Sequence, residues 1–186
     1  MSAHDLKARY ELLHGADTEA ARAEFERVKQ AAAAAGREVV VVSACLLGVR
    51  CRFDAGDKRN DAAVARAAGS AELLPLCPEV LARLGVPRPA ITLHEGGKRA
   101  VDARGRDVTR ELEAGARLAD LFATQAGATR ALLKERSPSC GVRHVHGAGG
   151  VVDGEGRFTA RLRKRGLVVV SEEGSQQGDQ EIKEED

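Results

Sequence analysis

Val39-Val40-Val41-Val42-Ser43-Ala44-Cys45 is the stretch on which the fold turns. Each valine is stiff at χ1 and packs well on a pleated surface, so four in succession predict a strand. The run is apolar at every position rather than at alternate ones, as expected for a strand buried on both faces of a parallel sheet. Three shorter runs resemble it: Leu73-Leu74-Pro75-Leu76, Ala131-Leu132-Leu133 and Leu167 to Val170. Helical segments fall between them. Residues 60–68 are Ala-rich and stop at Gly69. Residues 108–125 place Val108, Leu112, Leu118, Leu121 and Phe122 mostly on one face, with Gly127 beyond the end. Residues 159–165 form a short basic segment. Strands alternating with helices predict an α/β fold, a single three-layer Rossmann-like domain with a mostly parallel sheet.

On the N-terminal side, residues 3–35 read as helical. Tyr10, Leu13, Ala20, Phe25 and Val28 lie among charges, and Ala31 to Ala35 follow before Gly36 ends the segment. The expected organisation is an N-terminal helical extension over 1–37, a main domain over 38–173 and a disordered acidic tail over 174–186. The 186 residues are 43% apolar but only 3% aromatic, so Leu, Val and Ala must fill the core. Formal net charge is +1; residues 172–186 hold seven acids and one base, which leaves 28 bases against 21 acids, or +7, on the rest. A basic body can attract phosphate or nucleic acid, although a solvated surface explains the charge equally well. No run approaches the ~18 apolar residues that a membrane span needs, and the N-terminus lacks the apolar segment of a signal peptide. A cytoplasmic protein is expected, in which four cysteines point to metal binding or catalysis more than to disulfides.

Three of those cysteines fall just after predicted strands. Cys45 lies three residues past the valine run, Cys77 directly follows Leu76, and Cys140 lies seven past Leu133. In a parallel sheet, loops that follow strands share one edge, and ligand sites form there. Each cysteine taken singly is as well explained as a small buried hydrophobe; three at corresponding strand ends favour a metal site. Zinc sites usually use close pairs such as Cys-x2-Cys, whereas the nearest pair here, Cys45 and Cys51, is separated by five residues. Iron–sulfur clusters accept widely separated thiolates, and three thiolates on four irons leave one iron open as a soft Lewis acid. Two polar residues share these loops. Glu79, two positions after Cys77, is either a general acid–base group or an ordinary helix-start acid behind Pro78. Ser137, before Pro138, is either part of the site or a turn cap.

Ser43-Ala44-Cys45-Leu46-Leu47-Gly48 with Cys51-Arg52-Phe53-Asp54 resembles the opening motif of the thiouracil desulfidase family (TudS). Leu76-Cys77-Pro78-Glu79-Val80-Leu81, Pro87-Arg88-Pro89, Gly105 to Thr109 and Leu133 to Gly141 extend the resemblance over about residues 39–173. It implies a 4Fe-4S cluster on Cys45, Cys77 and Cys140. It also implies a non-redox reaction in which the substrate sulfur binds the open iron, Glu79 handles protons and activates water, and Ser137 assists by hydrogen bonding. Sulfur then leaves as hydrosulfide. The chain departs from the family in its long N-terminal extension and in Val142 to Gly150, where the family carries Tyr-Asp-Gly. His144 and His146 of that segment lie on one strand face, as metal ligands or as a solvated pair.

The expected substrate is a small thiolated pyrimidine, 2-thiouracil or a 4-thiouracil or 4-thiouridine nucleotide. An alternative takes thiolated tRNA, with Arg157, Arg161, Arg163, Lys164 and Arg165 as a phosphate-holding patch. Another is a non-catalytic zinc-binding module. A monomer and a homodimer are equally compatible with the sequence.

Overall fold

The computed structural model describes residues 3–15 and 17–174; the predicted acidic tail beyond Gly174 lies outside the described residues. The valine run is the centre of the molecule. It forms β1 (Val39–Ser43), buried at all five positions, between the parallel strands β2 (Glu72–Leu76) and β5 (Ala128–Leu133). A fourth parallel strand, β8 (Val168–Ser171), pairs with β5 and completes the order β2-β1-β5-β8. Alternation sends Val39 and Val41 to one face and Val40 and Val42 to the other.

Helices cover both faces, giving the three layers. Val39 and Val41 pack in the cluster that contains Phe25, Val28, Ala119, Ala123, Phe158 and Leu162. These belong to α2 (Thr18–Ala34), α5 (Thr109–Gln125) and α6 (Arg157–Lys164). Val40 and Val42 pack with Leu6, Ala68 and Leu73, from α1 (Ala3–His14), α3 (Asp61–Ala68) and β2. The helical reading of residues 3–35 holds, as two helices separated around Gly15, and Asp17 caps α2 by accepting from the N–H groups of Glu19 and Ala20. The inward face of α5 is built from Leu112, Gly115, Ala116, Ala119 and Ala123, while Leu121 is 49% exposed. Small residues at helical spacing let α5 pack closely on its neighbours, where a Cβ on Gly115 would stand 2.1 Å from the Pro78 carbonyl oxygen, and Leu121 lies off that stripe.

The α1–α2 hairpin covers the outer edge of β2. Arg9 of α1 is 2% exposed; it donates to the Leu73 carbonyl (2.6 Å) and to the carboxylates of Glu24 (2.6 Å) and Glu72 (2.7 Å). A buried cation thereby occupies a carbonyl that an edge strand would otherwise leave open.

A second, small sheet was not foreseen from the sequence. It runs β4 (Arg99–Asp102), β3 (Ile91–His94), β6 (His144–Gly147), β7 (Gly150–Asp153), with β3 and β6 parallel and the outer pairs antiparallel. Each strand has four residues and none carries a continuous apolar run. Ile91, Leu93, Ala100 and Val145 point inward with Leu112 to form a third, smaller cluster. No described helix is long and apolar enough to cross a membrane.

Candidate active site

All three predicted cysteines meet at the C-terminal edge of the parallel sheet. Cys45 lies in the 3-10 turn Ala44–Leu47 that leaves β1, Cys77 caps the short helix α4 (Pro78–Leu81) after β2, and Cys140 lies in the loop after β5. β2 and β5 flank β1 on opposite sides, so the chain reverses its direction of travel across the sheet at β1. A crevice forms at such a switch point. Here it is a cavity of about 420 Å³ lined by all four cysteines, Glu79, Arg88, Ser137 and residues of the small sheet, among them Thr92 and His146. The small sheet is thus the opposite wall of the site. His146 lines the cavity; His144 instead faces Asp153 at 3.5 Å across the β6–β7 hairpin.

The four cysteines are free thiols. Cys51, 2% exposed, lies within hydrogen-bonding reach of the Cys45 and Cys77 sulfurs. Those contacts and burial push the Cys51 thiol up, while the Cys51 contact holds Cys77 below the ordinary thiol range. Burial pushes Cys140 up against a hydrogen bond with Ser43 that favours the thiolate. Behind them stand two side chains of α1. The Cys77 N–H donates to His14 Nε2 (3.0 Å), so the ring proton is on Nδ1 and is directed at the Tyr10 carbonyl (2.9 Å). Burial pulls this imidazole down to about 4. The Tyr10 ring stacks on His14 at 3.9 Å, packs against the apolar cluster that contains Cys51, and brings its hydroxyl close to the Cys51 thiol.

Glu79 combines both readings open in the sequence. It stands in the first turn of α4 behind Pro78, and it also faces the cavity. Arg88 holds its Oε2 through Nη2 (2.6 Å) and Nε (2.9 Å), while Nη1 donates to the Cys51 and Gly85 carbonyls. Glu79 Oε1 receives long hydrogen bonds from the hydroxyls of Ser137 (3.4 Å) and Ser139 (3.3 Å). Ser137 is at once a turn cap and a cavity residue: its Oγ accepts the N–H groups of Ser139 (3.1 Å) and Cys140 (3.0 Å).

The Cys140 loop is built around a buried carboxylate. Glu135 Oε1 accepts from the N–H groups of Val142, Arg143 and His144 at 2.8–2.9 Å. Burial raises the Glu135 carboxyl, but these amides together with the Ser171 hydroxyl outweigh it and hold the group at about 2. Two glycines let backbones close on this loop. A Cβ on Gly141 would stand 2.3 Å from the His144 carbonyl oxygen, and one on Gly156 would stand 2.3 Å from the Ser139 carbonyl.

The donor set fits an iron–sulfur cluster. Soft thiols from three separate strand ends converge on one cavity with room for a group larger than an ion, and a carboxylate lies beside them. Among the described residues no three His, Cys, Asp or Glu side chains are grouped as they would be around a single metal ion.

Residues 40–174 match the profile of the 2-thiouracil desulfurase family. The chain belongs to that family. It is 30% identical over 145 residues to YbbK, an uncharacterised protein of Bacillus subtilis strain 168, covering 72% of this chain and 95% of that protein. It also superposes on the solved structure of a 4Fe-4S-dependent thiouracil desulfidase, TudS, with a TM-score of 0.64 and 40% identity, over 74% of this chain and 92% of that one. The family region contains β2 to β8, all of β1 except Val39, and every residue lining the cavity, whereas α1 and α2 lie outside it.

Sequence reading did not single out Arg88, Ser139 or Glu135 as site residues. Arg88 had a signal in its setting, Pro87-Arg88-Pro89, where two prolines stiffen the backbone on either side of one cation. Ser139 and Glu135 lie within the Leu133 to Gly141 motif, where nothing in their own residue type sets them apart from their neighbours.

Proposed function

We propose that this family member is a 4Fe-4S-dependent desulfidase that replaces the sulfur of a thiolated pyrimidine by oxygen, hydrolytically and without net redox change. The observation that carries the reading is the convergence of Cys45, Cys77 and Cys140 beside Glu79 in one cavity. These three residues would hold the cluster. When bound, it supplies an open iron, a soft Lewis acid matched to a thiocarbonyl sulfur.

The chain's own residues account for proton handling. Arg88 fixes the orientation of the Glu79 carboxylate through Oε2. Oε1, engaged only by two long hydrogen bonds, is the oxygen free to take a proton from water as it adds to the ring carbon. The same oxygen can return that proton to the departing sulfur; the C–S bond breaks, sulfur leaves as hydrosulfide, and the added hydroxyl gives its remaining proton to water as the ring carbonyl forms. Ser137 and Ser139 hold Oε1 in place, and Ser137 also fixes the turn that presents Cys140.

A small substrate is favoured over thiolated tRNA. Arg157 and Arg161 are paired with Glu113, Arg163 with Glu155 and Arg165 with Asp120, so most of the α6 basic patch is already neutralised. Among the described cations lining the cavity, Arg52, Arg88, Lys134 and Arg136 each pair with a carboxylate, whereas Lys58 has no ion-pair partner. Lys58 is therefore available to a substrate phosphate, which favours a thiolated nucleotide over the free base. The test is anaerobic reconstitution with iron and sulfide analysis, then hydrosulfide release from 2-thiouracil, 4-thiouridine monophosphate and thiolated tRNA. Activity on the monophosphate that falls several-fold in Lys58→Ala supports the reading. Stoichiometric zinc with no capacity for iron would overturn it.

A further inference from the structure

Tyr10 and His14 do not line the cavity, yet each contacts a cysteine that does. Cys77 begins a four-residue helix at the end of β2, and its N–H has left the strand ladder. A buried N–H needs an acceptor, and His14 Nε2 supplies it at 3.0 Å. The tautomer that leaves Nε2 unprotonated is fixed by the Tyr10 carbonyl, and the Tyr10 ring is stacked on the imidazole. The Tyr10 hydroxyl meets the Cys51 thiol, and Leu6, Tyr10, Cys45, Cys51 and Cys77 share one apolar cluster. The register of α1 is set in turn by Arg9, locked to Leu73, Glu24 and Glu72. The α1 side chains, Leu6, Arg9, Tyr10 and His14, all lie before residue 40, where the family region begins.

We propose that α1 is part of the cysteine site of this chain: His14 and Tyr10 are positioning residues that fix the Cys77 backbone and the Cys51 thiol and seal them from behind. In its consequence for a cluster the inference rests on Cys77 being a ligand, as proposed above; in its geometry it does not. An extension that merely covered the edge of β2 needs Arg9 and Leu13, but it has no use for an imidazole acceptor and a phenol aimed at two cysteines.

The test uses the full-length chain with Tyr10→Phe, His14→Phe and His14→Gln, the last retaining an acceptor near the position of Nε2. In the metal-free, reduced protein, hydrogen exchange at the Cys77 amide should quicken about five-fold or more in His14→Phe, the scale of one lost hydrogen bond. It should return toward the parent in His14→Gln. Alkylation of Cys51 by iodoacetamide, followed by peptide mass spectrometry, should accelerate by a similar factor in Tyr10→Phe. After anaerobic reconstitution, the brown absorption should bleach several-fold faster under a ferrous chelator in both Phe variants, with melting temperatures within a few degrees of the parent. Parent-like exchange in His14→Phe with parent-like alkylation in Tyr10→Phe would overturn the proposal. So would equal acceleration in all three variants together with a common fall in melting temperature, which marks a purely structural helix. Should the parent take up no iron, the cluster reading fails, while the metal-free measurements still decide the positioning roles.

Discussion

Arg88 grips a single oxygen of Glu79, with Nη2 at 2.6 Å and Nε at 2.9 Å, and leaves the other oxygen to two serine hydroxyls. A carboxylate divided in this way has one oxygen for orientation and one for chemistry. Glu79→Gln keeps the shape and an acceptor for Arg88 but removes the base. Turnover is expected to fall roughly 100-fold to 10,000-fold, with iron content and visible spectrum close to the parent. Loss of iron together with activity would instead assign Glu79 to the cluster cradle. Hydrosulfide assay and iron analysis on one preparation distinguish the two.

Removing the other partner reads the pair differently. Arg88→Leu leaves the Glu79 carboxylate, with a side chain only 12% exposed, without its cation. Such a break is expected to destabilise the chain by about 3 kcal/mol, and the Cys51 and Gly85 carbonyls lose a donor as well. Thermal unfolding of the metal-free protein should therefore show a larger loss for Arg88→Leu than for Glu79→Gln.

The four cysteines should separate into three and one. Cys45→Ala, Cys77→Ala and Cys140→Ala are each expected to lower iron per chain sharply after reconstitution. Cys51→Ser should retain most of its iron, because a hydroxyl can still contact Cys45, Cys77 and Tyr10 and one iron must stay open for substrate. Equal losses in all four variants would mean a closed site and would exclude the open-iron mechanism.

Glu135 makes the Cys140 loop sensitive to acid. Its carboxyl is held at about 2 in the fold, below the ordinary carboxylate range. The bound anion therefore contributes its full stability above the ordinary value and loses it as pH falls from there toward 2. Amides of Val142, Arg143 and His144 face one oxygen, Arg143 stands 3.6 Å from the other, and Lys134 and Glu172 lie alongside. The contribution near neutral pH is on the order of 3 kcal/mol. Glu135→Gln should lower the melting temperature at pH 7 and flatten the decline of stability between about pH 4.5 and 2, as followed by circular dichroism on the metal-free chain.

Arg9 tests how firmly the N-terminal hairpin is joined to the sheet. Arg9→Met retains much of the aliphatic volume but leaves Glu24 to Arg27 alone, Glu72 without its cation and the Leu73 carbonyl without its donor. A loss of about 3 kcal/mol is expected, a fall of roughly 6–12 °C in Tm for a chain of this size.

The sequence by itself determined the elements whose signal is local and strong. Val39 to Val42 reads as a doubly buried strand because every position is apolar and β-branched, and β2 and β5 follow the same logic in weaker form; β8 carries a similar run but is an edge strand with Val168 exposed. Cys45, Cys77 and Cys140 were legible as one site because parallel strands must deliver their following loops to a common edge, whatever the distances in sequence. Only the tertiary structure decided the rest. The strands of the small sheet are four residues long, and β3 pairs with β6, 54 residues further along the chain (Leu93 opposite Gly147), so the sheet carries too little local pattern to be assembled from sequence, although the His144–His146 alternation reads as a strand. Glu79 had many cations available in sequence, and Arg88 became its partner only when the Pro87-Arg88-Pro89 segment folded back over α4. His14 and Tyr10 stand more than sixty and forty residues, respectively, from the cysteines they touch. Helix periodicity reports which face is buried; which side chain of another element waits there is set by the packing of the whole chain.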